Sequence, residues 1–437
     1  PPELAAARWE TTLEGAEYSA GDWLDPGSGQ GDLAFLQYTS GSTTEPRGVM
    51  VTHGSLMANL DAIRRTFRQA PGTESVCWLP PYHDMGLVGG ILAPLYLGTP
   101  ATLLPPAGFL QRPVRWLQAI SRFRATVSGG PNFAYELCVR RATPGQCEGL
   151  DLGMWEVAFS GSEPVAPATL QRFAERFAPH GFRPTAFKPC YGLAEATLLV
   201  ATPPGRTPPA IRTFHAGELQ RGRARPAACT ETDGTPLPSC GPPVERVAIA
   251  EPETRTPCAP GVVGEIWVSG PSVARGYWSH PEDDGTVFNA LLAGTDEPRW
   301  LRTGDLGFLL DGELFVTGRL KDLIIVEGAN HYPQDLERTA AAAHPGLHAA
   351  EAAAFSVSLP GREGVVVAVA PHRHTEGPAA ELRQAVRAAV AAAHDIRLHD
   401  VILVRTGGLP RTASGKIRRG LCRAAYEEGT LEPWERP

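Results

Sequence analysis

The stretch Tyr38-Thr39-Ser40-Gly41-Ser42-Thr43-Thr44-Glu45-Pro46-Arg47-Gly48 gathers small hydroxyl residues, glycine and one cation in a single loop. That combination can cradle a phosphate: backbone N–H groups approach an anion where glycine removes the side chain, and hydroxyls add donors or bind a metal. It is not a Walker A loop, because the pattern G-x-x-x-x-G-K-[ST] is absent. Lysine usage is the second chemical signal. Of 40 basic residues only three are lysines, Lys188, Lys321 and Lys416. Lysine carries a compact, mobile charge and arginine a planar fork, so a site that must reach one oxygen at a time does not readily exchange them. Lys416 ends the glycine-containing run Pro410-Arg411-Thr412-Ala413-Ser414-Gly415-Lys416, whereas Lys188 lies outside any obvious loop and is equally read as a survivor of compositional bias.

Three further clusters carry groups of the right type. Ser160-Gly161-Ser162-Glu163-Pro164 follows the apolar run Val157–Phe159, where ligands bind at the carboxyl ends of strands in open α/β sheets. Tyr191-Gly192-Leu193-Ala194-Glu195-Ala196-Thr197 sets an aromatic ring four residues from a carboxylate. The ring is suited to stacking on a purine or to filling a core, and the carboxylate to holding Mg²⁺ beside phosphates. In Arg302-Thr303-Gly304-Asp305 the aspartate is expected in a tight turn, either as a turn former or as an acceptor for both hydroxyls of a ribose.

These groups need a rigid frame, and short apolar runs alternating with helical patterns supply one. Val76–Leu79, Ala101–Leu104, Thr126–Ser128, Val157–Phe159 and Thr185–Phe187 read as strands. Leu56, Leu60, Ile63 and Phe67, then Val114, Leu117 and Ile120, recur at helical spacing. The alternation predicts an α/β fold with a largely parallel sheet and helices on its faces. Between Thr202 and Pro260 the chain turns Pro-, Gly- and Arg-rich, a small β-rich subdomain or an insertion, before a strand at Val263–Ser269. After Gly318 comes a compact α+β module: strand Leu323–Val326, a helix from Pro333, strands near Ala352–Ser356 and Val365–Ala370, a helix around Ala379–Ala393 and strand Val401–Val404.

The 437 residues suffice for two to four domains or subdomains, and 43% hydrophobic with 20% charged residues argues for a packed core. A net charge of −7 argues against a basic nucleic-acid surface. No run reaches the roughly 18 apolar residues of a membrane span, so no integral membrane association and a cytoplasmic location are expected. Eight scattered cysteines without C-x-x-C read as reduced packing residues.

Taken in order, the Thr39 loop, Tyr191 to Glu195, Asp305, Gly318-Arg319-Leu320-Lys321-Asp322 and the Lys416 loop resemble the adenylate-forming superfamily of acyl-CoA synthetases, luciferases and peptide-synthetase adenylation domains. Phe35-Leu36-Gln37-Tyr38, Trp78-Leu79-Pro80-Pro81-Tyr82-His83-Asp84-Met85-Gly86-Leu87, Phe109-Leu110-Gln111-Arg112-Pro113, Ser128-Gly129-Gly130-Pro131-Asn132-Phe133-Ala134-Tyr135 and Gly276-Tyr277-Trp278 resemble the fatty acyl-AMP ligases specifically. The resemblance runs from Leu33 nearly to the end. It implies an AMP-binding body over 1–318, with the β-rich subdomain and a family-type insertion at about 202–318, and a mobile C-terminal domain over 319–437.

Carried over residue by residue, the resemblance assigns Thr39, Ser40, Gly41, Ser42 and Thr43 to the β- and γ-phosphates of ATP, and Glu195 with Thr39 to Mg²⁺. Gly161, Ser162, Glu163, Tyr191 and Gly192 would frame adenine; Asp305 and Arg319 would hold the ribose. His83 would stand where the acyl pocket meets the reacting carboxylate, and Ser128, Gly129, Gly130, Asn132 and Phe133 would line that pocket. Lys321 falls at the family's hinge. Lys416 would bridge the substrate carboxylate and the α-phosphate.

The activity so implied is conversion of a medium- or long-chain fatty acid and ATP to acyl-adenylate, then transfer of the acyl group to the phosphopantetheine of an acyl carrier protein. Alternatives are a fatty acyl-CoA ligase and a non-catalytic nucleotide- or lipid-binding module. The region Thr213–Ser239, with His215, Leu219, Gly222 and Arg223, resembles the insertion that sets acyl-AMP ligases apart from CoA users. Abundant Ala, Arg, Gly and Pro suggest a high-GC bacterial genome, and the resemblance adds lipid or polyketide assembly lines. Two departures stand out: Thr44 and Arg47 replace the glycine and lysine usual in the superfamily's phosphate loop, and only about thirty residues precede the Phe35 motif, where the family carries on the order of one more domain's length.

Overall fold

The first paired strands are antiparallel. In the computed structural model, which describes residue 21 and residues 24–39, 46–227, 234–295, 299–359, 362–372, 375, 378–412 and 416–434, β1 (Leu33–Thr39) pairs antiparallel with β2 (Arg47–Thr52), Thr39 opposite Arg47. Helix α1 (His53–Thr66) follows at once. Thr52 and Ser55 form a capping box, the Ser55 N–H donating to Thr52 Oγ1 at 3.1 Å and the Thr52 N–H to Ser55 Oγ at 3.0 Å. The helical spacing puts Leu56, Leu60 and Ile63 on the buried face.

The central sheet is parallel throughout, in the order β4–β3–β5–β6–β7. Its strands are β3 (Ser75–Cys77), β4 (Ala101–Leu103), β5 (Val127–Gly130), β6 (Val157–Ser160) and β7 (Phe187–Pro189). Helices α2 (Val114–Arg122), α3 (Asn132–Arg141) and α4 (Pro167–Phe177) connect or cover them. Two expected strands are displaced. The first runs over Ser75–Cys77 and stops ahead of Pro80 and Pro81, and the last begins only at Phe187, with Thr185 in the 3₁₀ turn Pro184–Ala186. Aromatic packing fixes the core between sheet and helices: Trp78 stacks on Phe109 with centroids 3.8 Å apart, and Trp116, Tyr135, Trp155, Phe173 and Phe187 are fully enclosed.

Beyond this sheet, β8 (Tyr191–Gly192) pairs with β9 (Leu199–Ala201), and β10 (Ile211–His215) with β11 (Gly234–Pro238). An antiparallel sheet runs β12 (Arg246–Ala250), β13 (Gly264–Ser269), β14 (Leu301–Leu310), β15 (Glu313–Arg319). Asp305 is therefore in a strand, not in the expected tight turn. Gly304, at φ 69°, kinks β14, and the β13–β14 register shifts beside it.

The C-terminal part has β16 (Ile324–Val326), β17 (Ala329–His331), α5 (Pro333–Ala342), β18 (Leu347–Leu359), β19 (Arg362–Pro371), α6 (Ala379–His394), β20 (Asp400–Leu403) and α7 (Arg419–Glu427). β18, β19 and β20 form one mixed sheet with α5 and α6 packed through Leu336, Leu382, Val386 and Val390. Among the described residues no helix is long and apolar enough to cross a membrane, and seven cysteines are free thiols.

Candidate functional site

Lys416 reaches across from the C-terminal part to the end of β6. Its ammonium donates to Ser162 Oγ. A small hairpin aims it: Arg411 bridges Ile417, the Thr412 N–H donates to the Lys416 carbonyl at 2.8 Å, and the Lys416 N–H returns to Thr412 Oγ1 at 3.1 Å. Ser162 is held at φ 72°, a left-handed conformation costly for a non-glycine residue. Gly161 before it has no room for a side chain, since a Cβ would meet the Cys190 carbonyl oxygen at 2.7 Å.

Charge converges here. Burial lowers the Lys416 pKa, with Arg319 acting in the same direction, while Asp84 and Glu163 oppose it. Burial raises the Glu163 carboxyl against the Phe133 N–H, which it accepts at 2.7 Å, and against Lys416. That hydrogen bond fastens Glu163 to the N-terminal turn of α3. Asp84 is also buried, which alone would raise its pKa. His83 and Lys416 outweigh this and hold it below the usual carboxylate range, with His83 Nδ1 2.6 Å from Asp84 Oδ1.

A second line of contacts runs from β8 to β15. The Tyr191 hydroxyl donates to Asp305 Oδ2 at 3.0 Å, and Arg319 Nε pairs with Asp305 Oδ1 at 3.1 Å, facing it in register across β14 and β15. Burial raises the Tyr191 pKa and Asp305 adds to it. Gly192 is pressed on the Leu198 carbonyl oxygen, 1.8 Å from where a Cβ would stand.

The third line ties the hairpin to Glu195. Residues 275–278 lie along β2, with Trp278 N–H to the Gly48 carbonyl at 2.8 Å and Met50 N–H to the Gly276 carbonyl at 2.9 Å. Tyr277 thereby stands between two site residues: its ring lies under the Arg47 guanidinium at 5.2 Å, and its hydroxyl donates to Glu195 Oε1 at 2.7 Å. Arg47 also pairs with Asp283 at 2.6 Å. Burial raises the Glu195 carboxyl, and the Tyr277 hydrogen bond pulls it back down. Among the described residues no metal-ligand cluster includes this carboxylate, and a lone hard carboxylate is the kind of ligand that holds Mg²⁺, which is usually bound by one or two carboxylates plus substrate phosphates. Among the described residues a three-ligand cluster occurs at His280, Glu282 and Asp283, the last of these being the Arg47 partner.

Not every sequence candidate joins these lines. Ser40, Gly41, Ser42 and Thr43 lie outside the described residues, as do Thr44 and Glu45; Thr39 ends β1 beside Arg47. Ser128 is enclosed in the core, accepting from Trp116 Nε1 at 2.7 Å and donating to the Val76 carbonyl at 2.6 Å. Gly129 and Gly130 are closely packed, on Phe159 and on the Trp78 ring. Asn132 Oδ1 accepts the Ala166 N–H at 3.0 Å, while Phe133 packs edge-on to Trp78. Lys188 is buried in β7 and donates to the Gly205 carbonyl, away from the charged centre. Lys321 lies in the 3₁₀ turn Leu320–Asp322, where burial and then Arg319 lower its pKa.

A cavity of about 60 Å³ opens beside Gly161, Ser162 and Tyr191; Asp84 and Gln69 also line it, and most of the remaining wall is apolar, with Ile63, Phe67, Phe159 and Leu198. Helical spacing marks Ile63 and Phe67 as inward-facing but cannot separate a cavity wall from solid core. Tyr277, in the Gly276-Tyr277-Trp278 run, was visible as a motif yet carried no sign of its partner Glu195.

Residues 3–278 match the family model described as AMP-binding enzyme, and residues 321–435 match that of the Disco-interacting protein 2-like AMP domain. The chain is 44% identical, over 94% of its length and 71% of the relative's, to a medium-chain-fatty-acid–[acyl-carrier-protein] ligase, JamA, of Moorena producens. It is 40% identical over 97% of its length and 68% of the relative's to the ligase of the same description, TtuA, from Teredinibacter turnerae. Among solved structures, one from work on fatty acyl-adenylate ligases of E. coli and L. pneumophila superposes with a TM-score of 0.82 at 37% identity, covering 91% of this chain and 70% of the other. The L. pneumophila fatty acyl-adenylate ligase in complex with acyl adenylate and pyrophosphate gives 0.69 at 42% identity, covering 93% and 71%.

Proposed function

Because the chain belongs to the AMP-binding enzyme family, we propose that its three lines of contacts serve acyl adenylation. The chain is a fatty acyl-AMP ligase: it converts a fatty acid and ATP to acyl-adenylate and pyrophosphate, then passes the acyl group to the phosphopantetheine thiol of an acyl carrier protein. The observation that carries the site assignment is the Lys416–Ser162 contact, which brings a mobile ammonium from the C-terminal part to the edge of the parallel sheet.

The chemistry asks little of acids or bases, since a carboxylate is already nucleophilic at neutral pH. The barrier is electrostatic: two anions must meet, and charge builds on the α-phosphoryl oxygens and on departing pyrophosphate. In this reading Lys416 spans the carboxylate and α-phosphate, Asp305 and Arg319 orient the ribose, Gly161 to Glu163 with Tyr191 and Gly192 frame adenine, and His83 stands at the acyl entrance. Ser40 to Thr43 with Arg47 take the β- and γ-phosphates. Mg²⁺, held by Glu195 with Thr39, would supply counter-charge to those phosphates. The apolar cavity beside Ser162 is the acyl channel, a reading that moves its wall from Ser128 to the Ile63, Phe67 and Leu198 side. The boundary between AMP-binding body and mobile C-terminal domain falls at Gly318–Arg319, with Lys321 at the hinge, and the enzyme works in the cytoplasm.

Carrier protein over CoA is supported by the segment around Thr213–Ser239. Phe214 packs edge-on against Phe308 and Phe315, at 5.1 and 5.4 Å between centroids, and the short helix Ala216–Gln220 also lies near β17. A segment anchored to the body and lying close to the C-terminal part would restrain rotation between half-reactions. The test is ATP–pyrophosphate exchange with a series of fatty acids, then a chase with CoA or with a phosphopantetheinylated carrier protein. Acid-dependent exchange with transfer to the carrier alone is expected; efficient transfer to CoA would replace this reading with acyl-CoA ligase, and no exchange by folded protein would leave a binding module.

A further inference from the structure

The cavity beside Ser162 has a far end, and that end is polar. Val127, in its wall, pairs with Ser75 and Val157 at the N-terminal row of the parallel sheet, whereas Gly161 follows Ser160 at the C-terminal row. The four residues from Val157 to Gly161 correspond to roughly 13 Å at about 3.3 Å per strand residue. Gln69, also in the wall, belongs to the remote end: it lies just past α1, its N–H donating to the Arg64 carbonyl at 2.9 Å, and the turn Ala70–Thr73 leads from it into β3. Between the two ends the wall is Ile63, Phe67, Phe159 and Leu198.

Gln69 is only 8% exposed, and among the described residues its Oε1 is buried without a hydrogen-bond partner. A buried amide oxygen without a partner carries a desolvation penalty that a hydroxyl reaching it from the cavity would relieve. A hydroxyl both donates and accepts, so it satisfies the carboxamide whichever way the amide is turned.

Resting on the ligase reading, we infer that the acyl channel selects fatty acids with a hydroxyl toward the end remote from the carboxylate, and that Gln69 is the residue reading it. The length sets the class of acid. An extended residue spans about 3.3–3.6 Å over three backbone bonds, so roughly 13 Å corresponds to about eleven bonds of an extended acyl chain, a medium length. The cavity of about 60 Å³ is narrower than such a chain, so walls must yield, and Met85, with its adaptable thioether, is the one suited to do so.

The experiment compares ω-hydroxydecanoic acid with decanoic acid in ATP–pyrophosphate exchange. A site built to bond a hydroxyl discriminates against the analogue lacking it. We expect kcat/KM at least about tenfold higher for the hydroxy acid, and Gln69→Met, similar in volume but without the acceptor, to abolish or reverse that preference. Equal or better use of decanoic acid by the unaltered enzyme would overturn the proposal while leaving the ligase reading intact, as would a preference that survives Gln69→Met. Exchange with no fatty acid at all would overturn both.

Discussion

The Tyr277 hydroxyl donates to Glu195 Oε1 at 2.7 Å while its ring carries the Arg47 guanidinium 5.2 Å from the centroid, so one tyrosine couples the start of β2 to the proposed Mg²⁺ carboxylate. Burial raises the Glu195 pKa and this hydrogen bond lowers it. Tyr277→Phe removes the lowering contribution, so the carboxyl rises further and is protonated at higher pH. The acid limb of the exchange rate should move upward in pH, and the Mg²⁺ requirement should rise about tenfold, the scale of one hydrogen bond to a charged group. Rates measured over pH at subsaturating Mg²⁺ check this; an unmoved profile would reduce Tyr277 to packing.

Lys416→Ala should cut acid-dependent exchange by about two to three orders of magnitude, as loss of one preorganised donor does elsewhere, with ATP binding retained. Because burial lowers the Lys416 pKa, the ammonium is lost as pH rises through a value below that of an ordinary lysine, and an alkaline limb follows from it. Lys416→Arg, which stays protonated, should retain some activity and lose that limb. Calorimetric ATP binding alongside exchange assays over pH separates the outcomes.

Arg419 holds Glu337 with two hydrogen bonds, at 2.6 and 2.7 Å, and approaches Asp322 at 3.3 Å, so α7, α5 and the Lys321 turn meet at one guanidinium. Arg419→Ala leaves two largely enclosed carboxylates without their cation. We expect destabilisation of about 3 kcal/mol by denaturant unfolding. Retained stability would mean that water already screens the pair.

Gly192→Ala should cost on the order of 3 kcal/mol or prevent folding, because a Cβ there falls 1.8 Å from the Leu198 carbonyl oxygen, and backbone cannot move aside as a side chain can. Gly294→Ala is the opposing control for volume: nothing lies within 4 Å of its Cβ position, so only the φ of 75° is strained. The thermal unfolding of the two variants should differ accordingly.

Much was legible in the sequence because its signals are local. Apolar runs and helical spacing located the central strands, α1 and α2, and the C-terminal α+β order, since each reflects the period of one element. The motif series announced the adenylate-forming frame. Errors stayed local too: Asp305 was placed in a turn because Gly304 beside it resembles one, whereas a glycine at positive φ can equally kink a strand.

Only the tertiary structure decided which groups meet. Ser162 and Lys416 are separated by 254 residues, Tyr277 and Glu195 by 82, and Tyr191 and Asp305 by 114. No periodicity encodes such pairings; they arise when sheets stack and the C-terminal part closes on the body. The same is true of Ser128 and Gln69. Both are polar residues near apolar ones in sequence, yet packing satisfies Ser128 with Trp116 and Val76 and leaves the Gln69 oxygen buried without a partner. Which buried polar atom finds a partner depends on the neighbours that folding brings, so the sequence determined the reaction class and the frame, and the packing determined which distant groups meet and which buried polar atoms stay unpaired.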